Sequence, residues 1–542
     1  MISVDVRGKY ETTVYRVSYV VASSLVFALT MGAGAQPAAE RFFQPILPPR
    51  PVQVIAHRGV SSAAPENTIA AFQLAVDMGF EWIEVDIRLT KDSHHVVFRD
   101  DSLDGKTNGT GALKKHTLEE IKSLDAGSWF APRFKGEKVP TLAETLTFAK
   151  GKINLYLDCK DVDAVKLVGE IRHAGMERQT VIFGDYHLLK RVHDLSDGAI
   201  AVMPDFDDKP DIDLWIQNLN PAAIEFESDL LTPEIVRKAH AAGILVQSDS
   251  LGEADNPADW RKAIEMDVDW IQTDYSERVI ATAAACTLPS PRPVIIVAHR
   301  RVNRLAPENT LTAFQKAIDL YLDYSEVDVR MSSDGRLVVI HDPRLDRTTN
   351  GSGYVRSHTL AEMKALSAGA WFGAPYAAER MPTLEEVIEL ARGKIKLYID
   401  AKEADPVLLA HVIRAAALEE DAVIYGDLGL LREIAQRAPE LRLMPRLHDP
   451  EKIEKLAHEL HPYAFDVPWE VLSQDLIRRC HNLGVKVFSD ALGNNESIAE
   501  YRKAIEWDID AIQTDYPLRV LTALLWQHAA QRQPVQEAGG KI

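Results

Sequence analysis

The strongest constraint on this chain is that it is one long unit written twice. VIAHRG, from Val54 to Gly59, returns as IVAHRR from Ile296 to Arg301. APENT, from Ala64 to Thr68, returns at Ala306 to Thr310, and IEVDIR from Ile83 returns as SEVDVR from Ser325. His57, Glu84 and Asp158 thus recur as His299, Glu326 and Asp400, each 242 residues later, and the copies align almost without gaps. Repeats of this length are whole domains, not solenoid units. The boundary falls in the Pro-rich stretch Thr287 to Pro293. The expected domains are therefore 36–286 and 294–525, joined by a linker at 287–293 and followed by a tail at 526–542.

Within each copy, short apolar runs alternate with amphipathic ones. In the first, the strand candidates are 52–56, 82–86, 153–158, 180–183, 200–203, 223–226, 244–247 and 270–273. Helical patterns such as 68–78, 141–149 and 232–242 fall between them. Eight strands alternating with helices over about 240 residues predict a (β/α)8 TIM barrel, so the fold class is α/β with two tandem barrels. The competing reading, a doubly wound open sheet, lacks a Gly-rich dinucleotide fingerprint.

One strand breaks the alternation. In the second copy, the β-rich runs 327–331 and 337–341 flank Asp334-Gly335, a two-residue hairpin signal. With those two residues as the loop, Asp328 falls directly opposite His341, with Glu326 on the same face. The hairpin would bring two carboxylates and an imidazole together at a strand end.

Polar residues at the C-terminal ends of barrel strands read as catalytic. The second copy offers His299 and Arg300 after strand one, Glu326 and Asp328 on strand two, His341 on the returning hairpin, and Asp400 and Lys402 on strand three. Three carboxylates make an oxygen-rich site suited to one divalent cation, Mg2+ or Ca2+, rather than zinc. Two histidines suit a general acid and a general base. Arg300 and Lys402 could hold the non-bridging oxygens of a phosphate. A metal, two cations and an acid/base pair are what phosphodiester cleavage requires.

The chain resembles the glycerophosphodiester phosphodiesterases, whose pattern is HRG, PENT, E-x-D, T-x-D-G, V-V-x-H-D, P-T-L-x-E and E-x-K, across about residues 52–280 and 294–525. The resemblance implies a TIM barrel with a segment inserted after the H-D hairpin, here about 343–380. It also implies a divalent metal and hydrolysis of a small-molecule or lipid-derived phosphodiester to sn-glycerol 3-phosphate and an alcohol. By motif, His299 and His341 become the acid/base pair, and Glu326, Asp328 and Asp400 the metal ligands. Arg300 and Lys402 become the phosphate-binding residues.

The departures are specific. The first copy keeps His57, Arg58, Glu84, Asp86, Asp158 and Lys160, but Arg99 stands where the second copy has His341. Arginine stays protonated and cannot act as a general base. Losing one acid/base partner costs roughly 10²–10⁴ in rate, so the first barrel is expected to be degenerate. In the second copy Arg301 replaces Gly59, and both copies carry Asp (Asp158, Asp400) where the resembling family usually has Glu. Asp249/Asp490 and Gln272/Gln513 end late strands, where they could line a pocket. Trp129/Trp371 and Pro140/Pro382 are expected to pack the inserted segment, and His116/His358 to lie at the surface.

A net charge of −19 argues against nucleic acid as a partner. Arg7, Lys9 and Arg16 precede an apolar run, 17–31, and then Ala33-Gly34-Ala35. This describes a cleaved secretory leader at 1–35, hence a periplasmic or secreted protein with no stable membrane span after cleavage. Three cysteines are too few for a disulfide framework. Two other functions fit parts of the pattern: a phosphodiester- or phosphate-binding protein without turnover, and a phospholipase D-like enzyme acting on another lipid-derived substrate.

Overall fold

The computed structural model describes residues 42–47, 50–206, 212–299 and 305–532. The expected leader at 1–35, Arg300, Arg301 and the residues beyond 532 lie outside them. The first barrel is built from β1 (Gln53–Ala56), β2 (Trp82–Leu89), β3 (His95–Val97), β4 (Asn154–Cys159) and β5 (Thr180–Phe183), followed by β6 (Ala201–Met203), β7 (Asp205–Phe206), β8 (Ala223–Glu227), β9 (Leu245–Asp249) and β10 (Trp270–Thr273). The second comprises β11 (Ile295–Ala298), β12 (Tyr324–Met331), β13 (Leu337–Val339), β14 (Lys396–Glu403) and β15 (Ala422–Tyr425), then β16 (Arg442–Met444), β17 (Ala464–Pro468), β18 (Lys486–Asp490) and β19 (Ala511–Thr514).

In both, the ring strands pair in parallel and the first pairs with the last: Val54 lies beside Ile271, and Ile296 beside Ile512. The first ring closes where β7, continuing β6 past Pro204, pairs with β8, and the second through an Arg446–Asp466 bridge. Two tandem (β/α)8 barrels result, with β3 and β13 as antiparallel strands outside the rings.

Period-two alternation sends every second side chain inward. The lower interior of the first barrel is filled by Ile55, Trp82, Tyr156, Val181, Ala201, Ala223, Leu245 and Trp270, with Phe43 inserted edge-on against Trp82. Val297, Tyr324, Tyr398, Val423, Met444, Ala464, Phe488 and Ala511 fill the second. One step further along the strands the inward positions become polar, which places the site at the C-terminal mouth. The helices that follow are fixed by side-chain caps. Thr68 and Thr310 cap the first helix of each barrel, and Thr141–Glu144 and Thr383–Glu386 form capping boxes at matched positions.

The hairpin register differs from the sequence expectation. Val329 pairs with Val339 and Met331 with Leu337, which sets Asp328 opposite Ile340, not His341. The loop is five residues, Ser332 to Arg336, rather than two. The Ser332 hydroxyl donates to Asp334 and accepts from the Arg336 amide, while Gly335 takes a left-handed φ of 73°. This polar turn outcompetes the two-residue Asp-Gly turn, and the odd loop length moves the pairing by one residue.

The last helix of the first barrel, Ser276–Thr287, packs on the last helix of the second, Pro517–Arg532. Across the same interface the Lys316 ammonium lies 3.2 Å from Glu277, whose side chain is fully buried. The Arg133 guanidinium sits 3.7 Å above the Phe372 ring, so the two inserted segments touch. Breaking one side of a buried ion pair costs about 3–5 kcal/mol, because the remaining charge stays buried. Lys316→Met should therefore lower the melting temperature sharply, and Lys316→Met with Glu277→Leu should recover most of the loss. Equal loss in both variants, by calorimetry, would show that packing rather than charge holds the barrels together.

Candidate active site

The parallel register of β12 and β14 sets Glu326 beside Tyr398 and Asp328 beside Asp400. Glu326, Asp328 and Asp400 each offer a carboxylate oxygen within 4.8 Å of the others. Glu326 and Asp328 are buried, at 3% and 0% exposure. Three hard anionic donors at this spacing fit one divalent cation of the Mg2+ or Ca2+ class, and there is no thiolate or imidazole among them to favour zinc. Burial raises the proton affinity of Asp400, against the pull of Lys402. The Lys402 ammonium contacts Asp400 and lies 3.3 Å from Asp328. Burial alone would weaken its charge, but Asp328 and Asp400 more than restore it.

Each histidine is oriented by a carboxylate. His299 Nδ1 lies 2.7 Å from Asp515, whose backbone N–H donates to Glu496. His341 Nδ1 lies 2.7 Å from Asp342. A carboxylate accepts, so each Nδ1 is assigned the proton. Asp342 is itself gripped by Arg347 at 2.7 and 3.0 Å, and the same guanidinium forks onto Glu308 at 2.7 and 2.8 Å. Arg347 holds the Asp342 carboxyl well below its usual range, and His341 adds to the effect. The His341 carbonyl accepts from Arg330 Nε at 2.9 Å, which pins the backbone. Asn309, at a left-handed φ of 63°, donates to Asp328 at 3.0 Å.

The sequence reading missed Asp515, Asp342, Arg347 and Asn309. The signals were there: the D of Q-T-D, the D of H-D, and the N of PENT. Arg347 had none, because its role exists only once the inserted segment folds back over Glu308. Arg300 lies outside the described residues, so the structure does not place it.

The first barrel repeats the carboxylates but not the orienting network. Glu84, Asp86 and Asp158 cluster within 4.8 Å, and His57 Nδ1 lies 2.8 Å from Asp274. Burial, then the charges of Asp86 and Asp158, push the Glu84 carboxyl well up, and one of its oxygens is buried without a hydrogen-bond partner. An orphaned acceptor between two further carboxylates fits a cation. The Lys160 ammonium contacts Asp158, with Asp86 3.7 Å away, and Arg58 Nε lies 3.5 Å from Asp86. Arg99 Nε also lies 3.5 Å from Asp86. Gly105 occupies the position of Arg347, and Lys106 instead pairs with Glu66 at 2.8 Å. Gly59 has a φ of 79°, and a Cβ there would meet Ala71 at 2.8 Å, so that position of the first barrel has no room for a side chain.

Against this geometry, a family model described as the glycerophosphoryl diester phosphodiesterase family matches residues 57–182 and 299–519. The chain belongs to this family. It is accordingly a phosphoric diester hydrolase, and each match begins on a site histidine, His57 or His299. A glycerophosphodiester phosphodiesterase of Caldanaerobacter subterraneus is 36% identical over 243 residues, which are 41% of this chain and 94% of that protein. One of Bacillus subtilis is 28% identical over 263 residues, 44% and 89% of the two chains. A solved glycerophosphodiester phosphodiesterase from Agrobacterium tumefaciens is 31% identical with a TM-score of 0.40, covering 42% of this chain and 99% of its own. Both curated relatives have the length of a single barrel, so this family member carries the family domain twice.

The remaining mouth residues distinguish the barrels further. In the second, Arg446 lies 3.1 Å from Asp466 and 3.6 Å from Asp490. Asp205 stands at the matching position of the first, where Glu225 accepts from the Tyr156 hydroxyl at 2.7 Å. Gln272 accepts from the buried Gln247 at 3.2 Å. Burial, then the charge of Asp490, raise Asp466 to about 7, with Arg446 opposing. The folded protein then holds this proton over a range, roughly pH 4 to 7, in which the unfolded chain has lost it. Deprotonation of this group in the unfolded chain therefore erodes stability as pH rises through that window. Asp466→Asn should raise the melting temperature more at pH 8 than at pH 5, and a larger gain at pH 5 would refute the assignment.

Proposed function

We propose that the second barrel hydrolyses glycerophosphodiesters to sn-glycerol 3-phosphate and an alcohol, with a divalent cation and a His299/His341 acid/base pair. One observation carries this reading: two imidazoles, each with Nδ1 held by a carboxylate, follow β11 and β13, the strands that pair with β12 of the three-carboxylate cluster. A cation held by Glu326, Asp328 and Asp400 would neutralise phosphoryl charge and polarise the phosphorus. Lys402, with Arg300 following His299 in the chain, supplies positive charge to the non-bridging oxygens. One Nε2 accepts a proton from the attacking oxygen, and the other donates one to the leaving alkoxide. Asp515 and Asp342 orient both rings through Nδ1, so that the base offers its Nε2 lone pair and the acid, as the imidazolium, its Nε2–H, and Arg347 fixes Asp342 in turn.

In the first barrel Arg99 cannot exchange a proton, and Gly105 removes the arginine that would orient a histidine there. On this reading its His57 does no chemistry. His341→Ala in the full chain should lower kcat by about 10²–10⁴, and His57→Ala should leave most activity. Chelation of divalent ions should abolish turnover, with recovery on adding Mg2+ or Ca2+. Equal loss from the two histidine variants would overturn the division of labour. Activity that survives exhaustive chelation would remove the cation.

The protein is proposed to be exported, on the basic, apolar and small-residue pattern of residues 1–35. Amino-terminal sequencing of the mature protein should begin at Gln36, and an intact leader on soluble protein would contradict export by cleavage.

A further inference from the structure

We infer that the first barrel is a binding site for a phosphomonoester dianion, the chemical class of the reaction's own phosphorylated product, and not a spent catalytic domain. The inference rests on the reading above in taking the product to be a phosphomonoester. Its first support is what the barrel has kept. Glu84, Asp86 and Asp158 remain clustered and largely buried, and the orphaned Glu84 oxygen is unfavourable unless a cation accepts it. A barrel serving only as a scaffold has no use for this arrangement.

The second support is what has changed, and where. The main chain at residue 99 is held as it is at residue 341: Arg88 Nε donates to the Arg99 carbonyl at 2.9 Å, as Arg330 Nε does to that of His341. The guanidinium of Arg99 therefore starts from the place of the catalytic imidazole. It reaches to 3.5 Å from Asp86 with its side chain 39% exposed, so it is accessible to a ligand. With Arg58 and Lys160 it makes three permanent cations around Asp86.

On the reading above, one member of the acid/base pair faces the ester oxygen that must leave, and the imidazole at this place of the second barrel belongs to that pair. That oxygen is bonded to carbon and carries little charge. A forked, permanently charged donor there has no proton to give it, but it matches a terminal phosphate oxygen well. A phosphomonoester has one more terminal oxygen than a diester and a charge near −2 at neutral pH, against −1. The replacement thus exchanges proton transfer for recognition of the group that cleavage creates. The loss of the Arg347 equivalent at Gly105 fits the same change, since no imidazole remains to be oriented.

The test is calorimetric and uses the full chain. Glycerol 3-phosphate is titrated with Mg2+ present into three proteins: wild type, Asp328→Asn/Asp400→Asn, and the latter with Arg99→Ala. Wild type should bind two equivalents. The Asp328→Asn/Asp400→Asn protein should bind one, at least tenfold more tightly than it binds glycerophosphocholine, a diester of the same glycerol phosphate. Adding Arg99→Ala should weaken that binding at least tenfold, with the melting temperature confirming a folded protein. If the double variant misfolds, Arg99→Ala alone should reduce the wild-type stoichiometry from two to one. No binding to the first barrel at millimolar ligand, equal affinity for the diester, or indifference to Arg99→Ala would each overturn the inference. None of these readouts depends on turnover, so failure here and failure of hydrolysis in the second barrel are separate results.

Discussion

Everything at the mouth of each barrel follows from the repulsion among three carboxylates that the fold forces together. Parallel pairing leaves β12 and β14 no freedom: once Glu326 pairs beside Tyr398, Asp328 must sit beside Asp400. The cost of burying these carboxylates together is visible in the raised carboxyls of Asp400, Glu84 and Asp86, in each of which burial is the leading cause and a neighbouring carboxylate adds to it. It is offset from outside the strands. Lysines two residues further on, Lys160 and Lys402, fold back onto the cluster, and Asn67 and Asn309 donate to its central aspartates. A divalent cation held there would complete the compensation and turn a liability of folding into a Lewis-acid site.

The second requirement is orientation, and here the copies part. In the second barrel an unbroken chain of charged contacts runs from His341 through Asp342 and Arg347 to Glu308. In the first, two members of that chain are altered, at Arg99 and Gly105, while Asp100 and Glu66 stand where Asp342 and Glu308 do. The contact between the inserted segments, with Arg133 above Phe372, shows that the altered copy remains packed against the intact one. The two barrels pack together although their mouths differ at Arg99 and Gly105.

Much of this was legible in the sequence, because the signals were periodic or repeated. The strands at 180–183 and 270–273 fall where alternation placed them, and the carboxylate clusters assemble from motif spacing alone. The hairpin failed by one residue, since Asp-Gly advertises a two-residue turn while the competing Ser332 hydroxyl bonds are invisible until the loop closes. Asp515 was hidden for a different reason: it reaches His299 only when the last strand closes on the first, a contact 216 residues long in sequence. Arg347 sits in an inserted segment with no periodicity to read. Local pattern reveals strands and ligands, whereas the partners that orient the ligands are set by closure of the ring.

The central claim, that hydrolysis belongs to the second barrel alone, is tested most directly by a crystal of the full chain soaked with glycerophosphocholine and Mg2+ and frozen at successive times. The account predicts an ion on Glu326, Asp328 and Asp400, with the diester there giving way to glycerol 3-phosphate. An intact diester persisting in the second barrel beside a bound ion, or cleavage seen first in the barrel of Arg99, would contradict it.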